Sequence, residues 1–162
     1  MNRVIVIGPS GAGKSTFARA LRDKTGLPLH YLDMLWHKPD RTTVTREEFD
    51  AGLAQILQGE QWIIDGDYSR TLETRLQACD TVFFLDYPLE VCLQGVESRR
   101  NTLREDMPWV ETGPDPEFLQ WIRDFFDIRR PKVLAFLEQY REGREIHIFH
   151  SRAEADAYLD RL

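Results

Sequence analysis

The chain has 162 residues, 42% of them hydrophobic and 30% charged, and a formal net charge of −6. That length supports one domain around a single core, 1–162, and leaves no room for an added catalytic domain. No apolar run approaches the roughly 20 residues a membrane span needs, and the acidic balance argues against nucleic-acid binding, where a basic face supplies most of the affinity.

From the N-terminus, Arg3-Val4-Ile5-Val6-Ile7 reads as a buried strand rather than a signal peptide, because it runs directly into Gly8-Pro9-Ser10-Gly11-Ala12-Gly13-Lys14-Ser15. This is a complete G-x-x-x-x-G-K-[ST] phosphate-binding loop. Its glycines let successive backbone N–H groups face one point, and the helix that begins there adds the positive end of its dipole. Thr16-Phe17-Ala18-Arg19-Ala20-Leu21 continues as that helix. The expected nucleotide cradle is therefore Gly8, Pro9, Ser10, Gly11, Ala12, Gly13, Lys14, Ser15 and Thr16. Lys14 should reach the β and γ phosphates of ATP, and the Ser15 hydroxyl should ligate Mg²⁺.

Thr25-Gly26-Leu27-Pro28 stops the first helix, and Leu29 to Leu32 is a second strand ending at Asp33. Met34 to Thr45 is polar and broken, so a loop over the site is expected. Thr45-Arg46-Glu47-Glu48 has the form of a capping box, opening a helix with Phe49, Leu53, Ile56 and Leu57 on one face. Trp62-Ile63-Ile64 is a third strand closed by Asp65-Gly66-Asp67-Tyr68, and a short helix runs to Leu76. Thr81 to Leu85 is a fourth strand, followed by Asp86-Tyr87-Pro88 and a helix from Leu89 to about Leu103. From Arg104 to Pro116 the chain is acidic and proline-rich and reads as a mobile lid. Glu117 to Tyr140 returns to helix, bent at Pro131. Ile146 to Phe149 is a fifth strand, and Ala153 to Leu162 a closing helix. Near-continuous apolar strands alternating with helices imply an α/β fold: a five-stranded parallel sheet covered on both faces, of the P-loop NTPase class, with a short lid.

Strand ends carry the chemistry of such sheets. Asp65 ends an apolar strand, the place from which a carboxylate meets Mg²⁺ or its waters beside Ser15; the alternative is a turn-forming Asp before Gly66. Asp33 is placed to orient or deprotonate an acceptor hydroxyl. Asp86, two residues before Pro88, suits helix capping or turn formation. Phosphoryl transfer spreads negative charge that cations must meet. Arg99 and Arg100 end the fourth helix, Arg104 opens the lid, and Arg123, Arg129 and Arg130 lie beyond it. Arg123 and Arg130 are seven apart and so share a helical face; Arg99 and Arg123 are the first candidates. Arg70 suits an anionic group of the acceptor, and Trp36, Trp109 and Tyr68 could stack on a base or close over the site. Trp121 is expected in the core. The four histidines lack metal spacing, and Cys79 and Cys92 read as reduced buried thiols, consistent with a cytoplasmic protein.

Gly8 to Ser15, Asp33-Met34-Leu35, Ile64-Asp65-Gly66 with Arg70-Thr71, and Leu85-Asp86-Tyr87-Pro88 running on to Arg99-Arg100 resemble the successive landmarks of the adenylate-kinase-like nucleoside monophosphate kinases. More closely, Trp62 to Tyr68 and Phe84 to Pro88 resemble the small adenylate-kinase-related proteins labelled DNA topology modulation proteins. The resemblance implies ATP and Mg²⁺ at the loop, an acceptor-binding segment over about 33–60 that includes Asp33 and, further on, Arg70, and an arginine-bearing lid over about 104–116. It departs in three places. Trp36 stands where adenylate kinases have an arginine, one extra residue precedes Arg70, and Gly95 occupies a position that often stacks an arginine on adenine. A small-molecule kinase acting on a nucleotide, nucleoside or similar acceptor, as a monomer or weak homodimer, is the expectation; an ATP-binding regulator of DNA topology without kinase activity is the alternative.

Overall fold

Because strand side chains alternate between faces, the apolar runs sort into two layers. The computed structural model, which describes residues 1–113 and 116–162, places β1 (Arg3–Ile7), β2 (Leu29–Tyr31), β3 (Trp62–Asp65), β4 (Thr81–Leu85) and β5 (Glu145–Phe149) in one sheet. The strand order is β2-β3-β1-β4-β5 and every pairing is parallel. The helices, in chain order, are α1 (Lys14–Thr25), α2 (Leu32–Trp36), α3 (Arg46–Leu57), α4 (Leu72–Ala78), α5 (Leu89–Ser98), α6 (Pro116–Asp124), α7 (Arg130–Gln139) and α8 (Arg152–Asp160). Val4, Val6, Ile63, Phe83 and Leu85 pack on α1, α5 and α8 through Phe17, Leu21, Cys92, Val96 and Leu159. Ile5, Ile7, Ile64, Val82 and Phe84 pack on α3, α4 and α7 through Phe49, Leu53, Leu76, Val133 and Leu137.

All five strands therefore deliver their C-terminal ends to one edge, where the crevice of a parallel sheet lies. β1 is central, and the register Val6↔Asp65 sets the end of β3 beside the start of the phosphate loop. The Thr45 capping box forms: its side chain accepts from the Glu48 N–H, while the Glu48 carboxylate accepts from the Thr45 N–H. Both cysteines are free and buried, and no described helix is long and apolar enough to cross a membrane.

Four expectations are corrected. Leu32–Trp36 is a short helix instead of the start of a loop, so Asp33 sits in its first turn. The fourth helix ends at Ser98, leaving Arg99 as its C-cap residue. Asp86 caps nothing: Pro88 precedes α5, and the Asp86 carboxylate takes two 2.8 Å hydrogen bonds from the Arg130 guanidinium. The expected bend at Pro131 is a π-helical turn over Phe125–Arg129, in which the Arg130 N–H donates to the Phe125 carbonyl. Pro131 directly follows that turn in an unbroken helix, so the wider π-type spacing lies where the ladder must accommodate a residue without an N–H.

The lid sequence is irregular from 104 to 113. Pro114 and Asp115 lie outside the described residues, and Pro116 already belongs to α6. Glu105 accepts from Arg22 at 2.8 Å and from the Tyr31 hydroxyl. Asp106 and Met107 are buried, so this end of the lid is packed onto α1 and β2.

Candidate active site

The phosphate loop takes the shape its glycines permit. Gly13 is the N-cap of α1 with φ 96°, a left-handed conformation that side-chain-bearing residues rarely adopt. The helix starts at Lys14, whose ammonium donates to the Pro9 carbonyl at 3.1 Å. The loop tip is held from behind by α5. A methyl group on Gly95 would lie 1.9 Å from the Gly11 carbonyl oxygen, and one on Gly11 would lie 2.0 Å from that of Cys92. Gly95 is thus the position at which helix and loop backbones touch. Arg152, from the opposite side, donates to the same Gly11 carbonyl at 3.3 Å.

Ser15 donates its hydroxyl to Asp65 at 2.5 Å. The other Asp65 oxygen is buried and has no hydrogen-bond partner among the described residues. Burial raises the Asp65 pKa from 3.8 to about 6, against the opposing pull of Lys14 and the Ser15 hydroxyl. A hydroxyl and a carboxylate with one uncommitted oxygen form the hard-oxygen pair that suits Mg²⁺, which takes few protein ligands and fills its shell with phosphate and water. Among the described residues there is no cluster of three or more His, Cys, Asp or Glu side chains arranged for a metal.

Asp33 faces the same cavity from α2 and accepts a 2.6 Å hydrogen bond from the Tyr68 hydroxyl. Burial, then the Asp33 charge, push the Tyr68 pKa well above its ordinary value, so this hydroxyl stays a donor. Tyr68 stacks on Phe49 with ring centroids 5.3 Å apart. Its backbone has φ 32°, a left-handed conformation that costs a tyrosine about 1 to 3 kcal/mol. Gly66 packs on the start of α2 so closely that a methyl group there would lie 2.7 Å from Leu32 Cβ.

Lys14, Ser15, Asp33, Asp65, Tyr68 and Arg99 line one cavity of about 770 Å³, within the range of small-ligand sites. Trp36 also lines it, its ring edge-on to Phe49. Arg99 is half-buried, and its Nε is buried with no hydrogen-bond partner. Arg104 has acidic partners in Asp106 and Glu111, at 3.6 and 3.3 Å.

Two site expectations are not met. Arg70 is outside the cavity lining, paired with Asp50 at 2.6 Å on the exposed surface. Arg123 is exposed and also absent from the lining, whereas Arg129 is present. The cause is the π-helical turn, whose extra residue between Arg123 and Arg130 breaks their shared face. The Arg129 guanidinium carbon lies 3.9 Å from the Trp121 ring centroid, and its Nη2 donates to the Trp121 carbonyl at 2.8 Å. Trp121 is accordingly no core residue: it is 42% exposed and lines the cavity. Two cavity residues had no sequence signal as site residues: Asp67, buried within 3.9 Å of Arg129 Nε, and Arg152, at the start of α8.

No protein-family model matches the chain, and no curated protein does. Solved structures do. Shikimate kinase from Acinetobacter baumannii, in complex with shikimate, is 21% identical, covering 99% of this chain and 90% of its own, with a TM-score of 0.63. A sugar kinase from a Janibacter species is 22% identical over 99% and 91%, at 0.58. A gluconokinase from Sinorhizobium meliloti is 17% identical over 99% and 92%, at 0.55. The fold is shared with these three structures. It is the nucleoside-monophosphate-kinase-like architecture that the motifs implied.

Asp65 holds a proton more tightly in the folded than in the unfolded chain. Its contribution to stability is therefore complete below pH 3.8 and is lost as pH rises through about 6. Without divalent cation, Asp65→Asn is expected to match the wild type in urea denaturation near pH 3.5 and to exceed it by about 3 kcal/mol at pH 8. An equal difference at both pH values would remove Asp65 as the source. Overpacking of the Gly95 contact should cost about 1 to 3 kcal/mol, expressed in the loop. Gly95→Ala is thus expected to retain its circular dichroism spectrum while ATP affinity, measured by calorimetry, falls about tenfold or more.

Proposed function

We propose that the chain is an ATP- and Mg²⁺-dependent kinase that transfers the γ-phosphoryl group to a hydroxyl of a small, anionic acceptor. The observation that carries it is the meeting, in one cavity, of a phosphate loop with its Ser15–Asp65 pair and a second carboxylate, Asp33, held by Tyr68. Lys14 and the loop amides would bind the triphosphate. Ser15 and Asp65 would hold Mg²⁺, which when bound offsets phosphate charge. Arg99 would stabilise charge on the moving group. In the transfer, the acceptor oxygen forms the new O–P bond as the bond from the β–γ bridging oxygen to the γ phosphorus breaks. The hydroxyl proton passes to Asp33, and ADP is released.

A hydroxyl acceptor is favoured because a phosphate acceptor is already ionised and needs no base, whereas Asp33 is held as one. An anionic substituent is favoured by Arg129 on the cavity wall, whose buried Nε makes no hydrogen bond and has only a 3.9 Å ion pair with Asp67. The names of the similar structures, shikimate kinase, sugar kinase and gluconokinase, support the same class. Nucleosides and nucleotides stay within it through their sugar hydroxyls.

The test is ADP release from Mg-ATP with a panel of hydroxylated acids, sugars, nucleosides and nucleoside monophosphates. Stimulation by a hydroxylated member is expected, with Lys14→Ala inactive. Asp33→Asn should lower turnover by about 10² to 10⁴-fold with ATP affinity retained. Tight ATP binding with no stimulated turnover would overturn the kinase. Steeply salt-dependent DNA binding would then favour the regulator of DNA topology.

A further inference from the structure

Arg75 is fully buried, at 0% exposure, yet makes no ion pair among the described residues. A buried cation without a carboxylate contact is costly unless its donors are all used, and here the fork is used on one target. Nη1 donates to the Gly66 carbonyl at 3.0 Å, and Nη2 to the carbonyls of Asp67 at 2.5 Å and Tyr68 at 2.9 Å. Nε donates to Thr71 Oγ1 at 3.2 Å. The three carbonyls belong to consecutive residues, all lining the cavity. One of them, Tyr68, is held in a left-handed conformation. A side chain in α4 thus dictates the path of the turn after β3.

We propose that Arg75 is the positioning residue of the acceptor half: its guanidinium fixes the Gly66–Tyr68 turn so that the Tyr68 hydroxyl meets Asp33. This rests on the kinase reading, in which Asp33 takes the acceptor's proton. Arg75 touches neither Lys14 nor Ser15 and does not line the cavity, so its effect reaches the chemistry only through the turn. The planar fork is required because three carbonyls converge on it, and a lysine ammonium cannot reproduce that geometry.

The experiment is a double-mutant cycle between Arg75→Met and Tyr68→Phe in the full chain, using Mg-ATP and the best acceptor from the panel. Tyr68→Phe removes one hydrogen bond to a carboxylate and should lower kcat about tenfold. Arg75→Met should lower it at least as much, leave the KM for ATP unchanged, and add nothing in the Tyr68→Phe background. Arg75→Lys should restore little. Losses that multiply, a raised KM for ATP, or full activity of Arg75→Lys would overturn the proposal. Should Arg75→Met not fold, the same cycle is run with Arg75→Lys.

A readout independent of turnover is the ultraviolet titration of tyrosine. Wild-type Tyr68 should stay un-ionised where an ordinary tyrosine titrates, at about pH 10. In the Arg75 variant one further tyrosine should ionise there, and an unchanged titration would overturn the proposal. Asp33→Asn separates the two claims. A fully active Asp33→Asn removes Asp33 as the base and overturns the Arg75 proposal with it, whereas an inactive one beside multiplying losses removes only Arg75.

Discussion

The phosphate end of the site depends on one carboxylate buried where two strands finish. β1 ends in the loop and β3 ends in Asp65, and their register leaves the acid next to the first turn of α1. There it meets Ser15 on one oxygen and no described residue on the other. Burial works against the charged form and pushes the carboxyl up to about 6, despite the opposing pull of Lys14 and the Ser15 hydroxyl. A fold selected for stability alone would place an apolar or amide side chain at this position. On the proposed reading the cost is retained because an ionised oxygen with no competing partner is what a hard cation requires.

The other end of the cavity, which the proposed reading gives to the acceptor, is built on different physics. No helix dipole or glycine-rich loop supplies it; its geometry comes from contacts between segments distant in sequence. Gly66 allows the turn after β3 to press on Leu32, which orients the short helix bearing Asp33. Tyr68 bridges the two by its hydroxyl, and Phe49 from α3 supports its ring. Each of these contacts is needed for the next, so the acceptor wall should be more sensitive to remote substitutions than the loop, whose shape is encoded in eight consecutive residues.

This difference explains what was legible in the sequence. The loop, the five strands and the Thr45 capping box follow from local pattern and from the topology of parallel sheets, and the structure bears them out; the end of β3 also brings Asp65 within reach of Ser15. Asp33 and Tyr68 could be suspected from strand ends and a turn, but their mutual hydrogen bond spans 35 positions. Arg75 had no signal, since an arginine four residues into an amphipathic segment reads as solvated surface. The choice of Arg123 over Arg129 failed for a single reason. Face arguments assume 3.6 residues per turn, and the π-helical turn before Pro131 removes that assumption where it was applied. Arg70 failed for another: Asp50, on α3, offers it a partner at the surface that sequence spacing does not reveal.

The arrangement of the remaining cations separates those that hold the structure from those left for a ligand. Arg22 is engaged by Glu105, Arg104 by Asp106 and Glu111, and Arg130 by Asp86. Exposed pairs of this kind contribute little, but Asp106 and Asp86 are buried, and their arginines tie the lid and α7 to the core. Arg99 differs. It is half-buried, has no acidic partner within ion-pair distance among the described residues, and has Arg104 nearby. Burial first, and Arg104 second, disfavour its charged form, although a guanidinium remains protonated under all ordinary conditions. Its charge is therefore held in the cavity at an electrostatic cost that the Glu111, Asp106 and Asp33 charges offset only in part. On the proposed reading, a polyanion beside Lys14 would lower that cost, which would account for the placement of Arg99.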